Sequence, residues 1–356
     1  NHFMGKRAMS DKPSQRILVV GPSWVGDMVM AQTLFAELRR QDPDCRIDVL
    51  APDWSRPLLE RMAEVHQALS LPFGHGDVRL GERRQFGHEL RGHYDQAILL
   101  PNTFKSALVP WWAGIPRRTG WRGEMRYGLL NDLRVLDEER YPLMVQRFVA
   151  LAHERNAPVP ERETLTPPKL GVDTSAADRA RNDLGLKRNL PVLGLCPGAE
   201  FGPSKRWPES YYAAAATERL KQGWQVWIFG SPNDREVAET IRAAVPEREQ
   251  RRVHILAGHT TLAEAVDLLA GVDAVISNDS GLMHIAAALN RPLVAVYGSS
   301  SPDFTPPLHP ASEIVRLDLD CSPCFQRECP LSHHNCMQQL EPAMVTAALQ
   351  RVTGEA

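Results

Sequence analysis

Short apolar runs alternate along this chain with segments whose apolar residues recur at helical intervals. Residues 17–20 (ILVV) read as a strand covered on both faces, and Ala31, Leu34, Phe35 and Leu38 then fall on one face of a helix. By the same reading RIDVLAP (46–52) is a strand, SRPLLERM (55–62) a short helix and QAILLP (96–101) a strand. NTFKSALVPWWAG (102–114) predicts a helix with Asn102 as its N-cap. A stretch holding four prolines and no apolar period then marks a linker over 157–170. Beyond it the alternation restarts, with strands in PVLGLC (191–196), WQVWIFGS (224–231), DAVISN (273–278) and PLVAVYGSS (292–300). Helices are expected between them, one of them opened by Thr261 and Glu264 as a capping box.

Strands alternating with helices place the chain in the α/β class, with parallel sheets covered by helices on both faces. Two Rossmann-like domains are expected, 16–156 and 171–356, facing a cleft with ligand loops at the carboxyl ends of strands. A length of 356 residues suits two such cores. Residues 1–15 lack the apolar centre of a signal peptide and are expected to be disordered or added for expression.

Composition narrows the function. A net charge of −2 gives no global basic field, so nucleic acid is not an expected partner and any anion must be bound locally. No apolar run reaches the roughly 20 residues of a spanning helix. Clustered cysteines without an export signal favour a reducing cytoplasm.

Four stretches carry candidate chemistry. In NDSGLMHIAAAL (278–289), Asp279, Ser280 and Gly281 stand where a strand meets a helix; Ser280 and the amides of Gly281 and Leu282 suit a diphosphate, with His284 one turn in. An N-cap followed by a core histidine fits the same residues. In CPGAEFGPSKRWP (196–208), Gly198 and Gly202 permit close backbone approach, while Lys205 and Arg206 supply positive charge for a leaving diphosphate; a solvated loop is the other reading. GIPRRTGWRGEMRYGLLN (114–131) sets Arg117, Arg118, Arg122 and Arg126 among glycines and aromatics, favouring an anionic acceptor over a solvated basic loop. Cys321, Cys324, Cys329 and Cys336 are spaced C-x2-C-x4-C-x6-C with His333 and His334 nearby, which suits structural zinc, with an iron–sulfur cluster, free thiols or disulfides still open.

Asp27 raises a separate question. An acid in the first turn of a helix is electrostatically favourable, yet a phosphate-binding loop avoids a carboxylate. Its place suits a base facing a neutral hydroxyl across the cleft.

ILVVGPSWVGDMVMAQTL, PNTFKSALVPWWAGIPRRTGWRGEMRYGLLND, CPGAEFGPSKRWP and SNDSGLMHIAAALNRPLVAVYGSSSPDFTPP together resemble the ADP-heptose:lipopolysaccharide heptosyltransferases, type II, from about Ile17 to the C-terminus. The resemblance implies the two-domain GT-B arrangement. It also implies inverting transfer of L-glycero-D-manno-heptose from ADP-heptose onto the first heptose of the lipopolysaccharide inner core. Asp27 falls on the family's base, Lys205 on the lysine that stabilises the donor phosphates, and the 278–284 loop on the ADP-binding segment. Glu236, or Asp234, matches an acid that contacts ribose in relatives. With Gly198 and Ser204 these complete the expected donor site, and the four arginines the acceptor site. No catalytic cofactor is implied, and a monomer working peripherally at the cytoplasmic face of the inner membrane is expected. The alternatives are the type I enzyme acting on Kdo and a non-catalytic sugar-nucleotide-binding relative. A dinucleotide-dependent oxidoreductase would require a G-x-G-x-x-G turn, and neither half opens with one.

Overall fold

A computed structural model describes residues 13–71 and 77–355. The expectation for residues 1–15 therefore falls mostly outside the described residues. The chain forms two six-stranded sheets, every neighbouring pair parallel. The first comprises β1 (Arg16–Val20), β2 (Arg46–Leu50), β3 (Val65–Leu69), β4 (Gln96–Leu99), β5 (Arg117–Trp121) and β6 (Asp132–Arg134), in the order β3-β2-β1-β4-β5-β6. The second comprises β7 (Val192–Cys196), β8 (Gln225–Ile228), β9 (Val253–Ile255), β10 (Ala274–Asn278), β11 (Leu293–Val296) and β12 (Ser312–Val315), in the order β12-β11-β10-β7-β8-β9. The two sheets share one topology, with the order reversing between β1 and β4 and between β7 and β10. Loops leaving the carboxyl ends of these four strands open the crevices where such folds bind ligands.

The central strands are covered on both faces, which explains their uninterrupted apolar runs; Leu18, Val19, Ile98, Leu193 and Ile276 are fully buried. Thr261 and Glu264 make the expected capping box, with Glu264 N–H donating to Thr261 Oγ1 at 3.2 Å and Thr261 N–H to Glu264 Oε1 at 3.0 Å. Asn102 does not cap a helix. The helix there runs only over Leu108–Trp112 behind a 3-10 turn at Lys105–Ala107, and the Asn102 carbonyl instead accepts from Glu124 N–H at 3.0 Å.

One apolar cluster crosses from the first unit into the second, joining Met28, Val29 and Leu34 to Met283, Ile285 and Ala286. At its centre the helix Val25–Gln41 packs on the helix Gly281–Ala288. Their first turns meet so closely that a Cβ on Gly281 would lie 2.7 Å from Val25 Cβ, and one on Gly26 2.9 Å from His284 Cδ2. The segment expected as a linker is tied on both sides. Lys169 exchanges two hydrogen bonds with the Gln32 side chain, at 2.7 and 2.9 Å, and Leu170 N–H donates to Ala288 O at 3.1 Å. Arg61 pairs with buried Asp267 across the same boundary.

Gly281→Ala should therefore lower stability by roughly 1–3 kcal/mol, as overpacking does. Gly81→Ala, on a helix position with nothing within 4 Å of the added Cβ among the described residues, should leave stability equal or raise it by up to about 1 kcal/mol. Denaturant midpoints of the two variants against the parent check the contrast.

Candidate active site

The loops after β1, β4, β7 and β10 converge at the two switch points. β1 ends in Gly21–Ser23, and Trp24, in extended conformation, precedes the helix that carries Asp27 in its first turn. A cavity of about 510 Å³ opens here, lined among others by Trp24, Asp27, Asn102, Lys105, Arg147 and Phe304. The Asp27 carboxylate makes no hydrogen bond or ion pair among the described residues. Loss of water raises its pKa to about 6, opposed by the charge of Lys205 and reinforced by that of Asp279. A half-buried, unpartnered carboxylate poised near neutrality is suited to accept a proton.

The second unit supplies the cation. β7 runs into a loop ending in the 3-10 turn Pro203–Lys205, and Lys205 Nζ lies 3.1 Å from Asp279 Oδ2 and 4.9 Å from the Phe201 ring centre. Asp279 is buried at the end of β10 and also accepts from Ser300 Oγ at 2.5 Å. Ser280 caps the helix Gly281–Ala288 by position, with its side chain left free of a capping bond. Leu282 packs against the shared apolar cluster. His284 is buried, and burial pushes its pKa down to about 4, so the imidazole is neutral at pH 7. Its ring edge faces Gly26, which makes it part of the joint between the two helices.

Asn278, not singled out from the sequence, holds the two loops of the second unit together. Its amide donates to Pro197 O at 2.6 Å and to Gly198 O at 3.3 Å, while its oxygen accepts from Tyr212 OH at 2.6 Å and Trp207 N–H at 3.2 Å. All four hydrogen-bonding positions of the amide are filled, which fixes the loop carrying Lys205. Gly198 is pressed against Asp234, since a Cβ there would sit 2.4 Å from the Asp234 carboxylate. That buried acid is pinned by Ser231 N–H at 2.9 Å, whereas Glu236 is exposed in the following turn and its carboxylate has no partner among the described residues. Ser204 is buried and engaged, its hydroxyl bonded to Gln326 O at 2.5 Å and Ser299 Oγ at 3.0 Å.

The arginine cluster separates. Arg117 and Arg118 begin β5, at the end of the sheet opposite the ligand loops. Arg117 pairs with Asp132 and Glu154, and Arg118 donates to the carbonyls of Leu129 at 2.6 Å and Ile115 at 2.8 Å. Arg126 is buried beneath the cavity wall, its guanidinium bonded to the carbonyls of Pro101 and Trp121. These three brace the fold. Only Arg122 is exposed, with no side-chain partner among the described residues. Lys105 lines the cavity, half-buried, with its ammonium unpaired among the described residues. Its place just after β4, inside the 102–114 stretch, is a signal that clustering of arginines obscured.

The four cysteines Cys321, Cys324, Cys329 and Cys336 are free thiols lining a second, far smaller cavity with His333 and His334. Among the described residues no group of three or more His, Cys, Asp or Glu side chains is already arranged to hold a metal ion. The expected zinc or iron–sulfur centre is thus not formed by the present side-chain positions.

A family model described as glycosyltransferase family 9 (heptosyltransferase) matches residues 83–335. The lipopolysaccharide heptosyltransferase 2 of Escherichia coli (strain K12) is 49% identical over 338 residues, covering 94% of this chain and 97% of the relative. The lipooligosaccharide heptosyltransferase 2 of Haemophilus ducreyi is 48% identical over 345 residues, with 95% and 99% covered. The solved structure of E. coli ADP-heptose LPS heptosyltransferase II matches with a TM-score of 0.85 at 47% identity, over 96% of this chain and 99% of that one.

The electrostatics of Asp27 can be tested directly. Carboxyl-selective NMR should place its midpoint at about 6. Lys205→Ala should move that midpoint up, by removing a cation, and Asp279→Asn should move it down, by removing a like charge.

Proposed function

This chain belongs to glycosyltransferase family 9, the heptosyltransferases, and on that premise we propose how its residues transfer heptose to the lipopolysaccharide inner core. L-glycero-D-manno-heptose passes from ADP-heptose to a hydroxyl of the first core heptose, with inversion. The observation that carries this reading is the open, desolvated Asp27 carboxylate facing the Lys205–Asp279 pair across the joint of the two helices.

Asp27 takes the proton of the acceptor hydroxyl as that oxygen forms its bond to the anomeric carbon. The bond from that carbon to the diphosphate breaks on the opposite face, and its electron pair leaves with ADP. One displacement from one face inverts the centre. Lys205 Nζ and the amides at the start of Gly281–Ala288 meet the charge that grows on the leaving diphosphate, so the step calls for no divalent ion. Asp279 holds Lys205 in place, and His284, neutral, adds no charge beside the base. Asp234 is better placed than Glu236 to act from the loop after β8, because it is fixed against Gly198. On the acceptor side Lys105, which lines the cavity, takes the part expected of the arginines, receiving phosphate or carboxylate groups of the core, with Arg122, exposed next to the cavity-lining Trp121, as a second cation.

Among the described residues no helix is long and apolar enough to cross a membrane. Trp24, Phe104, Met125 and Tyr127 are exposed large apolar side chains on the loops of the first unit, Met125 at 80%. We read them as the edge that meets the bilayer surface at which a lipid-anchored acceptor is presented. The type I reading has less support, since relatives similar over nearly the whole chain carry the second activity by name.

Asp27→Asn should keep ADP-heptose affinity by calorimetry while lowering kcat about 10²- to 10⁴-fold, the usual contribution of a positioned base. A near-parent rate would remove Asp27 from the chemistry. Lys105→Ala should raise the acceptor KM by about 10- to 100-fold, as loss of a charge-assisted hydrogen bond does, with the ADP-heptose KM unchanged. Equal change in both constants would assign Lys105 to general folding of the cleft.

A further inference from the structure

The segment from Cys321 to Cys336 takes no part in the transfer described above, and its build is unusual. None of its sixteen residues is buried, and only its last two begin a helix, so apolar packing does little to hold it. Yet its path is demanding. Phe325, Ser332 and His334 have φ of 56°, 60° and 52°, a left-handed conformation that non-glycine residues adopt only when their surroundings impose it. Its sulfurs line a cavity of about 20 Å³, room for about one atom-sized occupant. Thiols are weak hydrogen-bond partners for water but good ligands for soft cations. His334 N–H points at Cys329 Sγ at 3.5 Å, an amide-to-sulfur contact that would stabilise a thiolate there.

The segment is also fastened to the donor loop. Ser204 N–H donates to Arg327 O at 3.1 Å and its hydroxyl lies 2.5 Å from Gln326 O, while Phe325 N–H donates to Ser299 O at 2.7 Å. A Cβ on Gly202 would fall 2.5 Å from Arg327 O. The Phe201 ring is flanked by the Arg327 guanidinium at 5.4 Å and Lys205 Nζ at 4.9 Å. A continuous set of contacts therefore runs from the thiols to the catalytic ammonium.

We propose that Cys321, Cys324, Cys329 and Cys336 bind one soft divalent cation, zinc or ferrous iron, as a closed tetrathiolate site that holds Lys205 in register with the donor diphosphate. The thiols are gathered around the cavity without yet forming a coordination shell, so binding includes rotation of their side chains inward. Four thiolates leave no open position, which makes the site structural. Its bearing on Lys205 rests on the proposed transfer reaction; metal binding itself does not, and the two are tested apart.

The full-length reduced protein, stripped with chelator, is titrated with Co(II). The expected result is one equivalent bound, with the thiolate-to-cobalt charge-transfer band and the ligand-field bands of a tetrahedral site. Zn(II) should displace the cobalt and protect four thiols from a thiol reagent. Metal content of the protein as purified then tells zinc from iron. Absence of the thiolate–cobalt band, four thiols equally reactive with and without zinc, or disulfides in the protein as purified would each overturn the site. For the second part, Cys324→Ser and the chelated parent should both raise the ADP-heptose KM several-fold with the acceptor KM unchanged. Cobalt binding with an unchanged donor KM would overturn the link to Lys205 and leave the transfer mechanism intact. The chelated parent carries no substitution, so a variant that fails to fold does not obscure the answer.

Discussion

The contact on which the site depends is the meeting of two helix starts, Val25–Gln41 and Gly281–Ala288. Each presents a glycine where the other comes closest, and neither place has room for a Cβ. That approach brings Asp27, from one sheet, within electrostatic reach of Lys205 and Asp279 from the other. The apolar cluster running through both units and the Arg61–Asp267 pair hold the same boundary from behind. A fold made of two similar halves thus brings its candidate site together at a joint of small residues.

Charge is distributed unequally over that joint. Asp279 has its ion pair and its hydrogen bond, so it is a support. Among the described residues Asp27 has neither, and the loss of water that makes its charge costly raises its pKa to about 6. Lys205 bears on both acids, pairing with Asp279 and lowering the pKa of Asp27 by its charge. His284, whose burial keeps it uncharged at pH 7, packs against Gly26 at the same joint.

Much of this was legible in the sequence because buried parallel strands and their following loops leave strong local signals. The runs at 17–20, 192–196 and 274–278 became central strands; Asp27, beyond the first, lines the cavity, and Lys205, beyond the second, lies within electrostatic reach of it. Strands away from the sheet centre were harder: β3, at the edge (VHQAL), has no buried residue, and β5, between β4 and β6, opens on two arginines, so neither reads as an apolar run. The arginine cluster misled for a physical reason. Arg126 is buried and spends its guanidinium on backbone carbonyls, a role that composition cannot distinguish from anion binding. Lys105 and Asn278 were the converse, single polar residues whose value comes only from tertiary placement.

The most direct test of the account offers the enzyme ADP-heptose with inner core bearing one heptose and, separately, with heptose-free core, following product mass and anomeric configuration. The account predicts addition of one heptose to the first acceptor alone, with configuration opposite to that of the donor. Transfer to the heptose-free core alone would contradict the acceptor assignment, and a product retaining the donor configuration would contradict single displacement by Asp27.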